Sequence, residues 1–380
     1  MKKAYNQTWV ENLYVHRQAA AWKSKNLLTS EQEEEVKAHF AEKFYRPGIF
    51  VKIGLFLFGV VACSFFVGFL SLFIYDTSSE IGFSTLSLIC CACFVFVLEN
   101  LIKTKNLFHS GVDNALLYAA ITAAMVPVFL LFEHAPVWVY CLIALAIIVP
   151  ATLRYADLLG PVAIFGLIFT IMAEWMMNFP LGKALLPFAV MILSAMIYAL
   201  ARKNNDIYYY ECRQIFEILA LVTFYLGGNY LVVRELNALI NGLNVSVAPQ
   251  IAFAPLFYLF TLIIPVCYVF WGLKKADRIL FIIGLIAFAF SVYTYTHYFG
   301  ILTASQELVL GGALMIATAI ILIKYLHTAK YGISDEQNRK NSLENLQAII
   351  AAQELGVTPA SQGLEFGGGT FGGGGAGEAY

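Results

Sequence analysis

A chain of 380 residues that is 60% hydrophobic and 13% charged, with a mean hydropathy of +0.72, is too apolar for a water-soluble globule, whose charged share averages about 25%. A formal net charge of −1 says nothing about nucleic acid, and with no basic stripe interleaved with aromatics no nucleic-acid partner is expected. Continuous apolar runs, where a β-barrel needs short alternating ones, set the fold class as all-α: a polytopic transmembrane helical bundle.

In chain order, residues 1–47 read as a helical hairpin ahead of the membrane. Tyr5 to Lys25 and Ser30 to Tyr45 are its helices, joined at Asn26-Leu27-Leu28. Thr29 or Ser30 supplies an N-cap, with Gln32 or Glu33 three residues on to complete a capping box. Val36, Phe40 and Phe44 recur at helical spacing opposite Glu34, Glu35 and Lys37, predicting one apolar face, and Trp9, Leu13 and Trp22 add apolar surface from the first helix. Arg46-Pro47-Gly48 then ends the hairpin.

Residues 48–328 hold about ten spans, at 50–75, 81–102, 112–132, 136–153, 158–178, 183–201, 213–233, 251–272, 279–298 and 306–327. Of the 24 Lys and Arg, 22 fall in the termini and even-numbered connections, leaving Lys183 and Arg234 opposite. Basic residues resist translocation, so both termini are expected in the cytoplasm, the exceptions sitting at span ends where their side chains snorkel. Trp138, Trp175, Tyr293, Tyr295 and Tyr298 near outer ends, and Trp271 and Tyr208-Tyr209-Tyr210 near inner ones, form an interfacial belt. Beyond the spans, residues 329–356 predict a cytoplasmic amphipathic helix, capped by Ser334 with Leu343, Leu346, Ile349 and Ile350 as its stripe. Residues 357–380 form a glycine-rich tail expected to be disordered, with Phe366, Phe371 and Tyr380 spaced along it.

Trp22, the run Leu27-Leu28-Thr29-Ser30-Glu31-Gln32 and the glycines of the first span, Gly54, Gly59 and Gly68, carry a resemblance. Over about its first 70 residues the chain resembles a bacterial predicted-membrane-protein family of unknown function, domain of unknown function 2157. Ser30 stands where that family often has proline. The resemblance implies a bacterial inner-membrane protein and no assigned reaction.

Charged residues within spans are the chemical leads, because an ionisable group near a bilayer centre costs about 2.5–3.5 kcal/mol. Glu174 and Glu217, each about one turn inside its span, are candidate ion-contacting residues; the structural alternative pairs Glu217 with Arg213. Glu133, His134 and His297, with Glu307, could converge on the outer side. Arg154 and Asp157, three apart in a tight turn, are expected to form a salt bridge, and Glu99 and Asp113 bracket the basic loop Lys103–Lys105. Cys90-Cys91-x-Cys93 cannot turn three ligands to one ion from a single helix, so no metal or other cofactor is expected. Neither a zinc pair, a nucleophile elbow, a phosphate loop nor paired intramembrane aspartates appear, and the reading is non-enzymatic.

Trp22, Phe40, Phe366, Phe371 and Tyr380 are candidate partner-binding residues. The expected role is an inner-membrane scaffold or sensor that contacts the lipid bilayer and a cytoplasmic or membrane protein partner. The alternative is a secondary transporter of an ion or small molecule, suggested by Gly227-Gly228-Asn229, which interrupts the seventh segment, and by Pro127, Pro187, Pro255 and Pro265 within spans.

Overall fold

The structure, a computed structural model, describes residues 2–24, 27–73, 79–243, 248–299 and 304–326. The predicted helix from Ser334 and the glycine-rich tail with Phe366, Phe371 and Tyr380 lie outside the described residues. The chain is an all-α, multi-pass bundle, and the described residues contain no strand.

The amino-terminal helices are α1 (Gln7–Ser24) and α2 (Ser30–His39). Six long apolar helices follow: α3 (Ile49–Ser71), α4 (Glu80–Lys105), α5 (Val112–Leu131), α6 (Val137–Tyr155), α7 (Leu159–Met177) and α8 (Gly182–Lys203). A 3₁₀ turn (Ile207–Tyr209) leads into α9 (Tyr210–Gly228) and α10 (Tyr230–Ile240), and the chain continues through α11 (Ala254–Lys274), α12 (Arg278–Phe299) and α13 (Ala304–Leu326). Eight of these helices are long and apolar enough to cross a membrane, and the bent α9–α10 pair makes a ninth such unit. The tenth predicted segment corresponds to α13, 23 residues long.

The seventh segment is the one that departs from a straight span. It breaks at Asn229, and α9 and α10 meet at 77°. A Cβ on Gly228 would lie 2.6 Å from Ile264 Cδ1, so glycine lets α11 press against the elbow. Asn229 then caps the new helix by accepting the Val232 N–H at 3.2 Å, which restores a backbone bond that the break removed.

Within the bundle the closest neighbours in sequence pack most extensively: α4 on α5, α8 on α9 and α11 on α12. α7 touches both α8 and α9 and so joins two lobes. The first lobe's core is built on Leu86, Cys90, Phe94, Leu98, Leu116 and Ala120, and extends to Tyr5 and Tyr208. The second has one cluster around Leu221, Tyr225, Ile264 and Tyr268 and another around Tyr230 and Phe257. Much of the remaining apolar surface faces outward, including Phe58, Phe65, Phe96, Ile192, Leu200 and Ile286, as a lipid-facing bundle requires.

The hairpin forms with the predicted capping box: Gln32 N–H donates to Thr29 Oγ1 at 3.2 Å, and Thr29 N–H donates to Gln32 Oε1 at 2.9 Å. Its second helix is shorter than expected. α2 stops at His39, Phe40 is its C-cap, and Phe44 leaves the predicted apolar stripe. The chain beyond runs extended, with Tyr45 N–H donating to Asn106 O at 2.9 Å and an isolated bridge between Tyr45 and Leu107. Pro47 disfavours helix at Arg46, and Phe44 gains more by stacking on Phe108 at 4.5 Å and meeting Trp9 edge-on at 5.3 Å.

Candidate functional site at the basic face

The connections that carry the cations gather at the same end of the bundle as the hairpin. Tyr45 lies against the α4–α5 loop, Ala4 N–H donates to Arg154 O at 2.9 Å, and Lys3 pairs with Asp206 at 2.7 Å. Arg202 also pairs with Asp277 in the α11–α12 turn, which draws the fourth basic connection to this face.

At the α4–α5 connection, Asn106, His109 and Gly111 all take left-handed backbone, at φ 51°, 48° and 109°. Gly111 is required here: a Cβ would sit 2.2 Å from Lys52 O of α3. The turn brings three donors onto Asp113 Oδ1, namely Ser110 N–H at 2.8 Å, Ser110 Oγ at 3.0 Å and Gly111 N–H at 3.1 Å. Tyr5 OH donates to the other carboxylate oxygen at 3.3 Å.

At the α6–α7 turn, Ala156 at φ 47° ends α6, and Asp157 lies two residues ahead of α7, within reach of its first N–H groups. Asp157 Oδ2 accepts Leu159 N–H at 2.9 Å and Gly160 N–H at 3.1 Å. Its Oδ1 accepts Asn114 Nδ2 at 2.9 Å and Tyr118 OH at 2.8 Å. Asp113 and Asp157 are 2% and 3% exposed, yet neither has an ion-pair partner among the described residues. Four hydrogen bonds each, several from helix amino-termini, replace the water they lose.

Arg154 does not bridge Asp157 as the spacing predicts. It donates to Glu99 Oε1 at 2.6 Å and to Lys2 O at 2.9 Å, while Tyr155 OH reaches the same Glu99 oxygen at 2.7 Å. The left-handed residue between them sends the two side chains apart, with Arg154 finishing one helix and Asp157 capping the next.

Residues 2–6 cross this cluster as a strap. Tyr5 is 5% exposed, with its ring against Phe108 at 4.8 Å and His109 at 5.4 Å. Burial, reinforced by the Asp113 charge, raises the Tyr5 hydroxyl well above the ordinary tyrosine value, so it remains a donor. Against the cost of burial, the Lys3 ammonium and the Tyr208 N–H hold Asp206 below the usual carboxylate value. Beneath the strap, Tyr5, His109, Asp113, Asn114, Tyr155 and Asp157 enclose a chamber with no room for a water molecule. Asn114 Oδ1 is buried there without a hydrogen-bond partner among the described residues. No serine, cysteine or lysine lines the chamber among the described residues.

Of the residues singled out from sequence, Glu99, Asp113, Arg154 and Asp157 belong to this cluster, and the candidate ion-contacting and partner-binding residues lie elsewhere. Glu217 is buried and sits 3.4 Å from Arg213 Nε and 3.9 Å from Arg202 Nε, in the i, i+4 pairing. Glu174 lies in the last turn of α7, next to the Trp175 ring that packs on Trp138, and its Oε2 is buried with no partner in the described residues. Glu133 and His134 are exposed after α5, and His297 is exposed on α12, stacked on Tyr293 at 5.9 Å. No group of three metal-ligating side chains forms among the described residues. Trp22 and Phe40 are exposed on the hairpin. Of the two stray cations, Lys183 donates to Asn241, and Arg234 donates to Ala248 O with its guanidinium over the Tyr298 ring at 4.5 Å.

A second buried polar group surrounds the elbow of α9 and α10. Asn229 donates to Tyr225 OH at 2.9 Å and to Thr294 Oγ1 at 3.0 Å; Tyr225 OH meets Ser291 Oγ at 2.9 Å; Thr261 Oγ1 accepts Tyr230 N–H at 2.9 Å. All these groups are neutral and mutually bonded. A cavity of about 360 Å³ lies in the other lobe between α3, α4 and α5, lined mainly by apolar side chains such as Val60, Phe83, Leu86 and Phe94.

Comparison with protein-family models, with curated proteins and with solved structures gives no match.

Proposed function

We propose that this chain is a non-enzymatic scaffold or sensor of a bacterial inner membrane, with its hairpin and carboxyl-terminal end in the cytoplasm. The family of unknown function that its first residues resemble points to the same setting. One observation carries the reading: the hairpin is fastened to the bundle through several connections at once. Lys3 holds Asp206, Arg17 pairs with Glu211, Ala4 and Lys2 clasp Arg154, and Tyr5 enters the chamber. A hairpin tied to that many helices reports their arrangement to whatever binds its outer surface. That surface offers exposed Trp22 and Phe40 and the acidic ridge Glu31, Glu34 and Glu35 on α2. The buried carboxylates are occupied with helix caps, which supports a structural rather than catalytic use.

A transporter is the second reading, favoured by the broken α9–α10 helix and its polar surroundings, since discontinuous helices line substrate sites in many transporters. Crosslinking and purification from native membranes separates the two. The full chain should retain a protein partner that is lost on deleting Leu364–Tyr380 or on combining Trp22→Ala with Phe40→Ala. Equal recovery from all three forms would overturn the scaffold reading, and solute flux into proteoliposomes that stops with Asn229→Ala would establish the transporter.

A further inference from the structure

A helix on a water-facing surface turns its polar residues outward; α10 does the reverse. Its polar side chains bond back onto the protein. Arg234 donates to Ala248 O at 2.9 Å and lies over the Tyr298 ring, Glu235 accepts the Tyr298 hydroxyl, and Asn241 accepts Lys183 Nζ at 2.9 Å. Tyr230, Val233 and Ala238 are buried against the bundle. What remains outward is apolar: Leu236 and Leu239, one turn apart, and Leu243 just past the helix, exposed by 47%, 66% and 41%.

The elbow fixes the depth at which this face lies. α9 begins beside the hairpin, where Glu211 pairs with Arg17, and its 19 residues carry the chain about 28 Å toward the opposite end of the bundle. There Asn229 donates to Thr294, five residues short of the end of α12, and Tyr230 N–H donates to Thr261, seven residues into α11. A Cβ on Gly227 would lie 3.3 Å from Pro187 O, five residues into α8. The elbow therefore sits about 7–11 Å inside three helix ends. From it α10 leaves at 77° to α9, so its 11 residues advance only about 4 Å along the axis of α9. Its far end meets Lys183, the second residue of α8.

We propose that α10 is an interfacial helix, seated in the leaflet opposite the hairpin with its leucine face at the boundary between phospholipid headgroups and acyl chains. Lipid covers this face because the face continues the bilayer-facing surface of the bundle. α10 packs on α8, α9 and α11, and where α8 and α11 begin they present exposed Leu185, Phe253 and Leu256. Tyr230, Tyr258 and Tyr298, with Arg234 over two of their rings, form the kind of amphipathic aromatic set that settles at headgroup depth. Arg234 and Glu235 are both engaged within the protein, so the seat does not require an anionic lipid. The break at Gly228-Asn229 then turns the chain into the interface, and the neutral network around it holds the turn. The inference goes beyond the scaffold reading and stands whether or not a cytoplasmic partner is captured.

The test is tryptophan fluorescence of the full chain in phosphatidylcholine nanodiscs, with Leu236→Trp or Leu239→Trp and the wild-type signal subtracted. Bromines placed at successive depths along the acyl chains quench by contact, and iodide quenches from water. Each added tryptophan should be quenched most by the shallowest bromines. Iodide should quench it several-fold less than a tryptophan added by Glu34→Trp on α2, an exposed position of the hairpin. Iodide quenching equal to that at Glu34→Trp would mean an aqueous face, and quenching greatest at the bilayer centre a re-entrant segment. Quenching by neither would mean a face covered by protein, and each of the three would overturn the proposal. A second variant needs no added fluorophore. Leu236→Glu combined with Leu239→Glu should quicken hydrogen exchange across residues 230–243 several-fold with the spans unchanged. A water-facing surface accepts glutamate with little effect, so unchanged exchange would also overturn it.

Discussion

The two lobes bury polar groups in opposite ways. Beneath the strap, Asp113 and Asp157 are carboxylates held by turns and helix amino-termini, and the cover over them is a five-residue segment attached by side-chain ties. Around the elbow, Asn229, Tyr225, Thr261, Ser291 and Thr294 are neutral, donate and accept among themselves, and are covered by packed helices. The first arrangement sets charge beneath a short segment at the bundle's end, and the second sets a neutral network among packed helices.

That contrast can be broken at several points. Asp157→Ala should have the largest effect, leaving Leu159 N–H, Gly160 N–H, Asn114 and Tyr118 without an acceptor. A loss of about 3 kcal/mol is expected from combined capping and unsatisfied-donor costs, measured as a shift in an SDS-unfolding titration, and Asp157→Asn should recover part of it. Asn229→Ala should cost about 1–3 kcal/mol, because Tyr225, Thr294 and the Val232 N–H each lose a partner. Its penalty should be the same in mild acid as at neutral pH, and a pH-dependent penalty would erase the distinction between the lobes.

Smaller effects are expected at the hairpin. Thr29→Ala removes the cap of α2 and should cost about 1 kcal/mol of local stability, seen as faster exchange in α2 with the spans unchanged. Glu33 is held below its ordinary carboxylate value by Lys23 and then Lys37, so its contribution is present above 4.5 and disappears as pH falls through the lowered value. Lys37 is half exposed and its share is screened, so Glu33→Gln should loosen α2 against α1 by at most about 1 kcal/mol at neutral pH, and by nothing in strong acid.

Legibility in the sequence also differs between the regions. The spans and the gathering of basic connections follow from hydropathy and charge, because a bilayer demands long apolar helices whatever their packing; of the ten segments expected, eight are helices long and apolar enough to cross on their own and the bent α9–α10 pair is a ninth such unit. The elbow was visible as Gly227-Gly228-Asn229, although only contact with α11 and α12 shows that its polar groups are mutually satisfied. The chamber was nearly invisible. Ser110-Gly-Val-Asp113 and Asp157-Leu-Leu-Gly160-Pro161 carry helix-start chemistry that could have been noticed. Tyr5 carries no local signal at all, since its partners Asp113 and His109 lie more than a hundred residues away in a loop whose left-handed turns no periodicity reveals. The misread Arg154–Asp157 pair has the same origin: one left-handed residue, Ala156, redirects both side chains.

The central claim is that the amino-terminal strap is fastened across the bundle's basic face. The most direct measurement is a charge-reversal cycle on Lys3 and Asp206, read as hydrogen-exchange protection of residues 2–24 at neutral pH. Lys3→Glu and Asp206→Lys should each release the strap, and the double reversal should restore much of the protection. Single reversals that change nothing, or a double variant as exposed as the sum of the two, would contradict the account.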